Sequence, residues 1–329
     1  MKKVGIVGAG KRYLEYYKDV IGALDLNIVG FVTRSGKLSD EVGDYPVFDT
    51  MKAMIEYDEP DFFISVVPHQ ATPSIIAEAC SLECDLLVET PVGRSVDSKQ
   101  VLEKVWESAI LTGVVEQWPF LPMECFKKKF IDAGFLGDVH MVENDHRSYN
   151  YHGMAQLRNY IDKDSDVSEI VASLHENYPL NGRDDYWNIV LAKFDNGKTL
   201  LFKNSDLGKR EFAKGVRGKL VLRVYGSKGT IISGCLLDDP IETFSILWED
   251  GEKYDLKIDV EYKNDTVSRI STVMPDGSIF SWENAFSDHP FNEMQIAIAQ
   301  HVEGMINEKI LWTLNDGFKD MSLGNSSWV

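Results

Sequence analysis

The chain has 329 residues, room for two ordinary domains, and its 44% apolar and 26% charged content is that of a globular protein and excludes a disordered one. A formal net charge of −18 offers no electrostatic source for nucleic-acid binding, so no nucleic-acid partner is expected. No apolar run approaches the roughly 20 residues that cross a bilayer, so no membrane partner is expected either.

In chain order, the first ten residues contain an apolar run, residues 3–8, that ends in glycine as a buried parallel strand would. They hold no apolar leader segment, which reads as cytoplasmic. Tyr13, Leu14, Tyr17, Val20, Ile21 and Leu24 then recur at helical spacing, and Asn27 to Val32 reads as a second strand. Strands are expected at 46–48, 62–67, 85–89 and 113–116, and helices at 51–57, 73–81, 98–111 and 122–133. Thr72 is expected to cap the helix at 73–81, with Pro73 at its first position. The four cysteines, Cys80, Cys84, Cys125 and Cys235, follow no zinc or redox spacing and are expected as buried free thiols, with no metal site.

Beyond about residue 136 the texture changes. Asp195-Asn196-Gly197, Gly226 to Gly229, Asp250-Gly251 and Asp276-Gly277 each separate β-rich runs, as hairpin turns do. A helix is expected at 152–161, and another at 290–306 with Met294, Ile298, His301, Val302 and Met305 on one face. The fold class is therefore α/β, with an N-terminal Rossmann domain (1–121) and a C-terminal α+β domain (122–329) on a mostly antiparallel open sheet.

Gly8-Ala9-Gly10 lies between a predicted strand and helix inside a βαβ unit of about 30 residues, the context in which such a turn holds a dinucleotide. Gly8 permits the tight turn, and Gly10 lets the backbone approach a pyrophosphate resting on the helix N-terminus. The third glycine is replaced by Tyr13, so either the helix stands off or the ring tucks aside. The second strand ends Thr33-Arg34-Ser35, without the carboxylate that would hold the ribose diol of NAD. A hydroxyl and a guanidinium, with Lys11, Arg12 and Lys37 nearby, suit a 2′-phosphate, so the expected cofactor is NADP, with NAD possible. Arg34 also reads as a solvated loop residue.

Ser65-Val66-Val67-Pro68-His69, Leu86 to Val92 with Glu89-Thr90-Pro91, Gln117 to Pro122, Gly134 to Val139, Phe194 to Gly197, Val224 to Thr230 and Leu314 to Gly317 together resemble the glucose-fructose oxidoreductase / inositol dehydrogenase family (Gfo/Idh/MocA) over nearly the whole chain. The resemblance implies a nicotinamide cofactor, a small-molecule substrate and a homodimer or homotetramer formed through the C-terminal sheet. In the family the fifth strand usually ends Glu-Lys-Pro, whose lysine assists catalysis. Here Thr90 takes that place, able to hydrogen-bond substrate or nicotinamide but not to supply charge.

Val67, Pro68, His69, Glu89 and Thr90 are expected to line the nicotinamide half of the cofactor. The family's second catalytic element, a histidine at a helix start, maps to His152. Two readings fit it, a proton donor near neutral pH or a residue that only caps backbone groups. Tyr149, Tyr151, Arg158, Asp145 and His146 are the neighbouring polar candidates for substrate, while His175 reads as structural.

The resulting expectation is an NAD(P)-dependent oxidoreductase moving hydride to or from a carbonyl, imine or alcohol carbon. Two alternatives stay open, a dinucleotide-binding regulatory protein without turnover and a redox-neutral glycosidase that uses NAD transiently.

Overall fold

The computed structural model describes residues 1–93, 98–146, 149–180, 183–205, 221–236 and 239–325. It divides into two compact units: Met1–Phe120 with 264–266 and 288–319, and Leu121–Lys263 with 267–287 and 320–329.

The first unit is a parallel sheet. Strand β1 (Lys3–Val7) is apolar at consecutive positions because it is covered on both faces, and Val4, Ile6 and Val7 are buried. A π-helical turn, Tyr13–Tyr17, runs into α1 (Lys18–Ala23), and β2 (Asn27–Val32) returns parallel to β1. There follow β3 (Val47–Phe48), α2 (Met51–Tyr57), β4 (Phe62–Ser65), α3 (Thr72–Leu82), β5 (Leu86–Glu89), α4 (Ser98–Glu107) and β6 (Thr112–Val115). The sheet order is β3-β2-β1-β4-β5-β6, so the winding reverses between β1 and β4. In open α/β sheets, ligands bind beyond the carboxyl ends of the strands at this reversal.

The π turn answers the Tyr13 question. Its ring is buried and meets Phe31 edge-on, with centroids 5.0 Å apart, so the ring tucks aside. Lys18 N–H donates to Tyr13 O, five residues back, which widens the helix there. Thr72 makes no capping bond: Ala71 is the N-cap, and Thr72 is buried in the first turn of α3.

The second unit contains α5 (Pro122–Asp132), β7 (Val139–His146), α6 (Asn150–Ile161), β8 (Val167–Leu180), β9 (Arg183–Phe194), β10 (Thr199–Ser205), β11 (Leu222–Gly226), β12 (Gly229–Leu236), β13 (Asp239–Leu247) and β14 (Lys253–Leu256). The eight strands are ordered β14-β13-β12-β11-β7-β10-β9-β8, all antiparallel except the β7/β10 pair. Each expected hairpin turn separates two of these strands or joins β16 (Thr266–Val273) to β17 (Ile279–Glu283), which form a small sheet with β15 (Ile258–Lys263).

Period-2 alternation decides which sheet face is covered. Val142, Asn144, Val190, Ala192, Phe194, Leu200 and Phe202 are buried, and Met154, Leu157 and Ile161 of α6 join them in one core with Phe126 and Phe130 of α5.

The last two helices are α7 (Glu293–Ile306) and α8 (Leu314–Gly324). The expected boundary at 121/122 is off by one residue at its first crossing. More substantially, residues 288–319, expected in the second domain, belong to the first unit, where α7 packs on α1 and β6. Cys80, Cys84 and Cys125 form no disulfide among the described residues and are half-buried, not buried as expected, and burial pushes the Cys84 thiol up to about 12. The side chain of Cys235 lies outside the description.

Candidate functional site

In the first unit the turn after β1 is built by two glycines with different reasons to be glycine. Gly8 has φ +97°, and a Cβ there would lie 3.1 Å from Val66 O, so the fold itself requires glycine. Gly8 N–H donates to Val32 O (3.0 Å) and Val66 N–H to Val7 O (2.9 Å), tying the turn to both neighbouring strands. Gly10 differs: a Cβ would meet no atom within 4 Å. Among the described residues nothing demands glycine at 10, at the start of the helix whose N–H groups would face an anion.

Thr33 follows β2, where its N–H donates to Phe48 O (3.1 Å). Its Oγ1 is buried with no hydrogen-bond partner among the described residues, an unsatisfied hydroxyl beside the turn. Arg34, Ser35 and Lys37 are exposed, with Ser35 Oγ donating to Lys37 O (3.1 Å). Lys11 is exposed and lies 3.4 Å from Glu15. A glycine cradle, an open backbone approach and an unsatisfied hydroxyl together fit a dinucleotide.

Val67, Pro68 and His69 follow the end of β4, where Pro68 O accepts from Ala71 N–H (2.8 Å) and His69 O from Thr72 N–H (3.3 Å). Val67, His69 and Thr90 are partly exposed, and Pro68 is exposed.

Glu89 does not line a ligand surface as expected. Its buried carboxylate is held from three directions. Arg12 donates through Nε (2.9 Å) and Nη2 (2.5 Å), Tyr17 through its hydroxyl, and Gln117 through Nε2 (3.1 and 3.2 Å). Burial pushes the Glu89 carboxyl up, opposed by the Arg12 charge and by these hydrogen bonds. Burial works to lower the Arg12 guanidinium, and the Glu89 charge and hydrogen bond together with the neighbouring Tyr17 and Tyr16 hydroxyls outweigh it, leaving Arg12 raised. Arg12, expected to face a phosphate, thus commits one edge to Glu89. Spacing along the chain carried no signal of this pair, which is separated by 77 positions.

In the second unit His152 lies in the first turn of α6, 7% exposed, and its N–H donates to Tyr149 O (3.1 Å). The exposed Tyr149 ring stacks on Tyr151 at 5.7 Å and 14°, and Tyr151 lies 4.3 Å from the His152 ring. The structure therefore brings Tyr149, Tyr151 and His152 together.

Arg158 is corrected. It has no exposed surface, and its Nη1 donates to Asp320 (2.6 Å) and its Nη2 to Lys163 O (2.5 Å). A guanidinium so enclosed orients no substrate. Asn144 Nδ2 donates to Gly153 O of α6 (3.0 Å), and strand alternation places the next residue, Asp145, on the other sheet face, with its Oδ1 buried and without a hydrogen-bond partner among the described residues. The side chains of His146 and His175 lie outside the described residues.

A buried polar cluster behind α6 escaped sequence reading. Glu124 accepts from Lys127 Nζ (2.7 Å), Gln156 Nε2 (2.9 Å) and the Tyr160 hydroxyl, and burial followed by the Glu124 charge pushes Tyr160 well up. The legible signal was Gln156 and Tyr160 four apart on α6, both polar on a face otherwise buried.

No protein-family model and no functionally curated protein matches the sequence. Among solved structures, the chain is similar to an oxidoreductase from Agrobacterium radiobacter in complex with NAD+, L-tartaric acid and magnesium (14% identity, TM-score 0.71, 99% of this chain and 95% of that one). It is similar to a levoglucosan dehydrogenase in complex with NADH and levoglucosan (13%, TM-score 0.67, 99% and 96%) and to a dehydrogenase from Chromobacterium violaceum (12%, TM-score 0.69, 100% and 94%). At these identities the likeness establishes the fold: an N-terminal Rossmann-like parallel sheet followed by a mostly antiparallel sheet.

Proposed function

We propose that the chain is a nicotinamide-dinucleotide-dependent oxidoreductase of the Gfo/Idh/MocA type, acting on a small carbonyl, imine or alcohol substrate with NADP preferred. The observation that carries it is Gly10, a glycine that no atom of the described residues requires, at the winding reversal of a parallel sheet. The dinucleotides named with two of the similar structures support the same reading.

Bound there, the dinucleotide supplies hydride transfer. Gly8, Ala9, Gly10 and Lys11 hold its pyrophosphate, and Thr33, Arg34 and Ser35 take the 2′-phosphate through a hydroxyl and a guanidinium. Val67, Pro68, His69 and Thr90 line the nicotinamide half. His152 gives or takes the proton, with Tyr149 and Tyr151 contacting substrate. The outward face of the eight-stranded sheet is the surface for self-association.

Fluorescence titration of NADPH and NADH tests the reading. Wild type binds NADPH more tightly than NADH; equal or tighter NADH binding removes the NADP preference. Gly10→Ala keeps the wild-type melting temperature, because its Cβ meets nothing, yet loses about tenfold or more in dinucleotide affinity. His152→Ala keeps binding and loses turnover. Tight binding without turnover of any carbonyl, imine or alcohol by wild type favours the regulatory alternative, which the loss of a charged group at Thr90 also supports.

A further inference from the structure

Arg12 occupies the first turn beyond Gly10, and only part of its guanidinium is committed. Nε and Nη2 donate to the same oxygen, Glu89 Oε1, and the flat face lies 4.3 Å from the centroid of the Tyr16 ring. Nη1 makes no hydrogen bond among the described residues, and the side chain stays 30% exposed. Its uncommitted N–H pair is therefore the part a ligand can meet.

Glu89 is fixed in turn. It is the last residue of β5, its other oxygen accepts from the Tyr17 hydroxyl, and Gln117 Nε2 reaches both oxygens. Among the described residues Arg12 is the only cation on this buried carboxylate. The side-chain freedom an arginine ordinarily loses when it grips an anion is thus lost before the ligand arrives, which favours binding. A planar guanidinium with a free N–H pair matches phosphate oxygens, and the adjoining helix start attracts the same charge.

We propose that Glu89 is a positioning residue that holds Arg12 for the pyrophosphate of the dinucleotide, with Tyr17 and Gln117 holding Glu89. The inference rests on the dinucleotide reading above. It moves Glu89 from a ligand-lining role to one exerted through a residue in another strand-to-helix connection.

The test compares ADP with adenosine, which share a nucleoside and differ by the pyrophosphate, in competition with NADH on the full chain. Glu89→Gln is expected to weaken ADP and NADH by about tenfold and leave adenosine unchanged. A purely structural role would weaken all three together. The double variant Arg12→Gln/Glu89→Gln removes both charges of the pair and leaves neither uncompensated, so it is expected to fold even if the single variant does not and to show the same selective loss. An ADP-to-adenosine affinity ratio equal to wild type in the variants that fold overturns the proposal. Wild type that binds neither NADPH nor NADH overturns the dinucleotide reading itself, and this inference with it.

Discussion

Arg158 and Asp320 show how far a residue's role depends on what it meets. Both are buried, 0% and 1% exposed, and joined at 2.6 Å. Removing one partner leaves an uncompensated interior charge, so Asp320→Ala is expected to lower stability by about 3–5 kcal/mol in urea unfolding. The apolar double variant Arg158→Met/Asp320→Leu should recover most of that loss. A single variant as stable as wild type would show that the pair contributes little. Arg158 read as a substrate group because its position on a helix was visible and its carboxylate, 162 positions away, was not. Gly8 was legible for the converse reason: a positive φ is a local demand, and the residue type answers it directly.

Among elements, α7 carries the clearest pH dependence. His301 is buried, its Nε2 lies 2.8 Å from Glu116 O, and the Phe120 ring meets its imidazole at 4.5 Å. Burial first, only partly offset by the Glu116 carbonyl, lowers His301 to about 4 from its ordinary 6.5. Between these values the unfolded chain binds a proton that the folded chain does not. Stability therefore falls as pH drops from 6.5 toward 4, by about 3 kcal/mol for this group. Chemical denaturation of wild type and His301→Gln at pH 7 and pH 4.5 checks it, and the acid loss should be smaller in the variant. The helix itself was legible from apolar periodicity. Its start was expected at Pro290, whereas the reciprocal Asn292–Gln295 capping box begins it at Glu293. The π turn at Tyr13–Tyr17 was not legible, because five residues are too few to separate its period from that of an α-helix.

At the scale of the whole molecule, the outward sheet face carries one row across five strands: Val171, Leu191, Leu201, Glu143 and Arg223. Val171 and Leu191 are 59% and 41% exposed, beside the Glu143–Arg223 ion pair. The exposed apolar end of this row is the surface that a second copy of the chain would cover. Sedimentation velocity should find an oligomer for wild type and a monomer for Val171→Lys/Leu191→Lys; a monomeric wild type would rule the face out.

The alternation of strands and helices, the glycine turn and the hairpin positions were readable from the sequence alone, because periodicity and φ are properties of neighbouring residues. That α7 joins the first unit, that Arg12 meets Glu89 and that Arg158 is sealed against Asp320 were decided only by the tertiary structure. Burial and ion pairing depend on groups brought together from distant parts of the chain, and no local pattern records which of them will meet.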